Sequence, residues 1–210
     1  MEKDILEVGN INHMKNLLSN HKQIKKPANL EAEKLIREAS DNFIYFRDYE
    51  IALKQIDRVL EIDENHVKAL ILKGNVLFCV DRVDEALEYF EKALSIDPFS
   101  TEAHGSKSNT LDVLGKVKEA FTCCEKAFNN ITVKDKELLP ALYDHKIALL
   151  LKMKKYEEAK LTLKESYRYL STEDSFKMAA CYRDIVSTLL SEQKRRKRMA
   201  TERLTLIHSV

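Results

Sequence analysis

Along residues 83–96, VDEALEYFEKALSI, apolar side chains return at Val83, Ala86, Leu87, Phe90, Ala93 and Leu94, while charged residues fill the gaps. Spacings of three and four residues place the apolar set on one face of an α-helix. The same beat runs through YEIALKQIDRVLEID, VKEAFTCCEKAFNNI and YEEAKLTLKESYRYL, which align with it on Ala52, Ala120 and Ala159. The steps between the aligned alanines are 34, 34 and 39 residues, so the fourth copy carries five extra residues near TVKDKE. A unit that recurs at such a period cannot bury its apolar face alone and is expected to stack on its neighbours.

Each copy has an upstream helix with a fixed relation to its alanine. Twelve positions before it stand Ser40, Gly74 and Ser108, with Ile147 in the fourth copy; nine before it stand Phe43, Leu77, Leu111 and Leu150. Two helices joined by a short turn approach closely only where a side chain is nearly absent, so the small residue and the alanine are expected to face each other. Tyr49, Val83, Val117 and Tyr156 begin the second helices, and Ile56, Phe90, Cys124 and Leu163 continue their buried faces.

This pattern resembles the tetratricopeptide repeat (TPR), most closely in HVKALILKGNVLFCVDRVDEALEYFEKALSIDP, where Leu70, Gly74, Leu77, Ala86, Phe90, Ala93 and Pro98 fall on the family's positions. No copy has the family's early Trp; His104 stands there in the third. The resemblance implies an all-α, right-handed α-solenoid. Its expected parts are an N-terminal segment over 1–29 with a short helix near 11–22, four repeats over 33–66, 67–100, 101–134 and 140–173, and a capping helix over 172–193. A basic tail over 194–210 follows. Asn29 is the expected N-cap of the first repeat, and Met178, Tyr182, Ile185 and Leu189 the buried stripe of the cap.

In this family the first helices line a concave groove. The resemblance therefore implies a peptide or protein partner and places Ile71, Leu72, Asn75, Phe78, Gly105, Ser106, Asn109 and His145 in that groove. Ile71, Leu72 and Phe78 either form an apolar wall or pack neighbouring helices. Asn75 and Asn109 are expected to hold a peptide backbone as two rungs. The heat-shock carboxylate clamp of some relatives is not expected: its positions hold Arg37, Asp41, Leu72, Glu102 and Ser106 in one register and Ile71, Asn75, Ser106, Ala141 and His145 in the other. Asp41 and Glu102 would repel a carboxylate.

Composition narrows the classes further. Only 4 Gly and 3 Pro occur in 210 residues, 44% of them hydrophobic, which favours helices joined by short turns. No apolar run has the length of a signal peptide or a membrane span, and four cysteines without CxxC spacing suggest neither a disulfide frame nor zinc, so a reducing cytoplasm is expected. The glycines are scattered, and the histidines fall at no metal-ligand spacing. No catalysis and no cofactor are expected. The formal charge of +1 is uneven: Lys194, Arg195, Arg196, Lys197 and Arg198 lie in a stretch, 194–203, that is +5, leaving about −4 for the rest. Solvation explains such a tail; a nucleic-acid factor using it, or a self-associating scaffold, are the alternatives. No aromatics interleave the arginines to stack on bases.

Overall fold

The computed structural model describes residues 27–207; the helix expected near 11–22 lies outside the described residues. Among the described residues the fold is all-α, without strands. The chain divides into two compact units, Met1–Ala69 and Leu70–Val210.

In the first unit α1 (Pro27–Asp41) and α2 (Tyr49–Ile62) pack together across a π-helical turn, Asn42–Phe46. Ala32, Leu35, Ile36 and Ala39 of α1 and Ala52, Ile56 and Val59 of α2 are buried. Asn29, expected as the N-cap, lies instead inside α1, which begins at Pro27; a proline suits a first helical position, where its missing N–H has no intrahelical partner to lose. Asp48 caps α2, its carboxylate accepting from the Ile51 N–H at 3.1 Å.

The division falls within α3 (Val67–Cys79). The second unit continues with α4 (Val83–Ile96), α5 (Thr101–Val113), α6 (Val117–Asn130), a 3-10 turn over Val133–Leu138, α7 (Leu139–Lys152), α8 (Tyr156–Tyr169) and α9 (Thr172–Ile207). Successive helices from α4 to α9 pack on one another, and α5, α7 and α9 also meet in that order. Helix pairs are thus stacked as in an α-solenoid, with the first helices of the pairs side by side.

The close approach of the paired helices is visible in two places. A Cβ on Gly74 would lie 2.5 Å from Cε1 of Phe90, nearer than real carbon contacts allow. Ser108, fully buried, donates its hydroxyl proton to the carbonyl of Ala120 at 2.6 Å. The four register alanines, Ala52, Ala86, Ala120 and Ala159, have no exposed surface.

The turns between paired helices repeat as well. Arg47, Asp81, Gly115 and Lys154 have positive φ and recur at the steps of the alanines. In the three turns of the second unit the next residue's N–H reaches back five residues, from Arg82 to Leu77, Lys116 to Leu111 and Lys155 to Leu150, each at 2.9 Å. This left-handed closure satisfies carbonyls that a helix end otherwise leaves unpaired.

Helix α9 runs past residue 193, where the basic tail was expected to begin, to Ile207. Its buried stripe is shifted from the expected one: Val186 and Leu190 are 1% and 5% exposed, whereas Ile185 is 48% exposed and Leu189 half-buried. Val186 and Leu190 join Ile147, Leu150, Ala159 and Leu163 of α7 and α8 in one core cluster, with Tyr182 against it. The Tyr182 hydroxyl also donates to Asp144 at 2.8 Å, so contacts with two helices set the rotation of α9. The side chain of Met178 lies outside what is described.

Candidate functional site

Helices α5 and α7 are neighbours in the layer of first helices, and a hollow of about 100 Å³ opens on them. Gly105, Ser106 and Asn109 line it from α5; Ala141, Leu142 and His145 line it from α7. The five-residue insertion supplies another part of the wall. Its 3-10 turn starts with a capping box, in which the Asp135 carboxylate accepts from the Thr132 N–H at 2.8 Å and the Thr132 hydroxyl at 2.6 Å. Those two bonds hold the Asp135 carboxyl below its usual range. The turn ends on Leu138, which lines the hollow, and the Thr101 hydroxyl donates weakly to Asp135 at 3.4 Å, tying the turn to the start of α5.

His145 is oriented by the buried serine of the repeat register. The Ser108 hydroxyl spends its proton on Ala120 O, so at 2.9 Å from His145 Nε2 it accepts. The ring therefore carries its proton on Nε2, and Nδ1 is the atom left with a lone pair. Burial is the main influence on this imidazole and pushes its pKa below the ordinary value, keeping it neutral near pH 7.

The lining also includes the Glu102 carboxylate but no lysine or arginine. The hollow thus has an apolar floor, Leu138, Leu142 and the bare backbone of Gly105, with hydroxyl, carboxamide and imidazole groups at its sides. Pockets that enclose cofactors or drug-sized ligands run to roughly 300–1,000 Å³; this one has room for a single aliphatic side chain.

Four of the eight expected groove residues, Gly105, Ser106, Asn109 and His145, come together here. The other four do not line the hollow. Ile71 and Leu72 are 3% and 8% exposed, core residues of α3 rather than an open apolar wall. Nearly the whole circumference of this helix is covered, since Leu70, Val76 and Leu77 are buried too. Phe78 and Asn75 are half-buried, and only Asn109 of the expected pair of rungs reaches the hollow. Thr101, Leu138 and Leu142 escaped the sequence reading; for Leu138 the broken 34-residue step was the available signal. Lys194, Arg195, Arg196, Lys197 and Arg198 are all exposed on α9. The adjacent cysteines show no reactive character: Cys124 is fully buried, which pushes its thiol up to about 12, and burial also raises Cys123. Among the described residues no three of His, Cys, Asp and Glu gather as a metal ion would need, and no helix is long and apolar enough to cross a membrane.

The sequence profile of the tetratricopeptide repeat matches residues 67–100, spanning α3 and α4. Residues 67–100 therefore carry a tetratricopeptide repeat. No curated protein sequence matches this chain, but solved structures share its fold. PilF of Pseudomonas aeruginosa superposes with a TM-score of 0.64 at 17% identity, over 80% of this chain and 78% of PilF. MamA gives 0.56 at 17% identity, over 79% of this chain and 86% of its own. SycD, the type III secretion chaperone of Yersinia enterocolitica, solved in complex with a peptide of the translocator YopD, gives 0.52 at 20% identity, over 58% of this chain and 93% of SycD. At these identities the likeness is one of fold.

Proposed function

We propose that this TPR protein is a non-catalytic adaptor that takes a peptide or protein segment into the groove over α5 and α7. One aliphatic side chain of the ligand enters the hollow beside Gly105. The observation that carries this reading is the gathering of Gly105, Ser106, Asn109 and His145 around an apolar floor too small for a cofactor. The chemistry suits a peptide: the Asn109 carboxamide donates to and accepts from a peptide bond, and His145 Nδ1 accepts from a backbone N–H. Glu102 disfavours a terminal carboxylate at this point. That SycD was solved with a translocator peptide supports the fold's capacity for such ligands.

The test is selection of a random peptide library on the parent protein and on Gly105→Leu. A Cβ at residue 105 meets only Leu142 Cδ2, at 3.4 Å, so the leucine fills the hollow without breaking the helix. Sequences sharing one aliphatic position are expected to enrich on the parent and to bind Gly105→Leu at least about tenfold more weakly, a loss of ~1.4 kcal/mol. Enriched peptides that bind both proteins equally would remove the hollow as the site.

A further inference from the structure

A second surface lies away from α5. Between α8 and α9 runs an open groove of about 360 Å³. Its charged lining is of one sign: Lys160 from α8, Arg183 and Lys194 from α9, and no carboxylate. Between the two α9 cations stand Ser187 and Ser191 on the same side of the helix, small enough to leave the groove open and able to donate hydroxyl protons. The floor is Leu163, Val186 and Leu190, each at most 5% exposed, so charge rather than apolar area must carry binding.

The nearest carboxylates leave these cations available. Arg183 Nε is 3.5 Å from Asp184, and Lys194 Nζ is 4.0 Å from Glu157, with every one of these side chains at least 60% exposed. Pairs so long and so wet are worth little. Beyond the groove α9 continues with Arg195, Arg196, Lys197 and Arg198, all exposed, which extends the positive field.

We propose that the α8–α9 groove docks an acidic segment of a partner protein, its Asp and Glu side chains meeting Lys160, Arg183 and Lys194. The dimensions fit a peptide. Eleven helical residues separate Arg183 from Lys194, roughly 16 Å along the axis, which about five extended residues span. A nucleic-acid duplex is too wide to enter, and a single strand would find no aromatic ring in the lining to stack on. In a symmetric pair, a second copy of the chain would bring its own basic α9 against like charge. The recessed floor offers a lipid surface nothing to insert into.

The experiment is fluorescence anisotropy with a labelled peptide of about twelve residues built from Asp, Glu, Ser and Gly, at about 50 mM salt. The peptide is expected to bind, to weaken steeply as salt rises, and to lose at least tenfold in affinity on Lys160→Glu/Arg183→Glu. These residues are exposed, and unchanged circular dichroism would show that the variant is folded. Two controls separate this groove from other surfaces. Gly105→Leu, which closes the hollow over α5 and α7, is expected to leave binding of this probe within about twofold, so either site can fail alone. Arg195→Glu/Arg196→Glu, outside the groove, reverses the same number of charges and is expected to cost clearly less than the groove pair, since it acts only through the long-range field. No binding, an equal loss on the Arg195/Arg196 pair, tighter binding of a thymidine oligonucleotide or of phosphatidylserine vesicles, or dimerisation that the groove variant abolishes would each overturn the proposal.

Discussion

At the scale of single residues, the molecule turns on a few positions where one atom decides. Gly74 is the sharpest. The ring of Phe90, 1% exposed, lies where a Cβ would have to go, with Cε1, Cζ and Cδ1 at 2.5, 2.8 and 2.9 Å from it. Gly74→Ala gains helix propensity of about 1 kcal/mol but must displace a buried aromatic ring. Net destabilisation of about 1–2 kcal/mol is expected, and chemical denaturation measures it. Gly115 is the opposite case. Nothing lies within 4 Å of the point where a Cβ would stand, so only its positive φ of 74° argues for glycine there. Arg47, Asp81 and Lys154 meet the same demand with ordinary side chains, which is why glycine spacing revealed none of these turns.

At the scale of helices, the register alanines and the left-handed turns set pairs, while side chains between pairs set their order. Lys107 reaches Glu91 at 2.9 Å, Lys146 reaches Glu125 at 2.6 Å and Lys152 reaches Asp112 at 2.6 Å, linking α5 to α4, α7 to α6 and α7 to α5. Helix α9 departs from this scheme. Each earlier first helix of the second unit ends after 13 or 14 residues, but α9 has 36. Its packing rests on Tyr182, Val186 and Leu190, while residues 194–198 are exposed. Truncation after residue 193 is therefore expected to change unfolding free energy by no more than about 0.5 kcal/mol, the range of exposed surface changes. Helical circular dichroism should fall in proportion to the residues removed. A larger loss of stability would mean that the basic stretch packs on the fold.

At the scale of the whole molecule, stability should depend on pH through groups of the second unit. Burial is the leading cause of depressed pKa values at both His104 and His145. His104 donates from Nε2 to Pro98 O at 3.0 Å, and its Nδ1 is buried without a partner, so protonation there has nothing to donate to. With folded pKa values below the unfolded one, the unfolded chain binds more protons as pH falls through the ordinary histidine range. Stability is thus fully present above about 6.5 and declines below it toward the folded values. Asp135 and Glu85, lowered by hydrogen bonds from Thr132 and Arg82, add a separate loss in the carboxylate range at more acid pH. Thermal melts at about pH 7.5 and 5.5 check this: the drop in midpoint between them should be smaller for His104→Gln/His145→Gln than for the parent. An equal drop would place the histidines outside the linkage.

The repeat period, the buried alanines and the all-helical class were legible in the sequence because they depend on local periodicity: which residues share a helix face follows from 3.6 residues per turn. That Gly105, Ser106, Asn109 and His145 share one side of the first helices was legible for the same reason, since they keep their repeat positions and line one hollow. What the sequence left open depends on contacts between elements. Ile71 and Leu72 read equally well as wall or core until α3 was found covered on nearly all sides. The insertion was visible only as a broken step, yet its Leu138 helps build the hollow because the Thr132–Asp135 capping box folds it into a 3-10 turn beside α5. The phase of α9 was set by its simultaneous contacts with α7 and α8, which no single-helix pattern contains. Periodicity specifies a helix and its face; only packing against two neighbours selects the rotation, and with it the groove between α8 and α9.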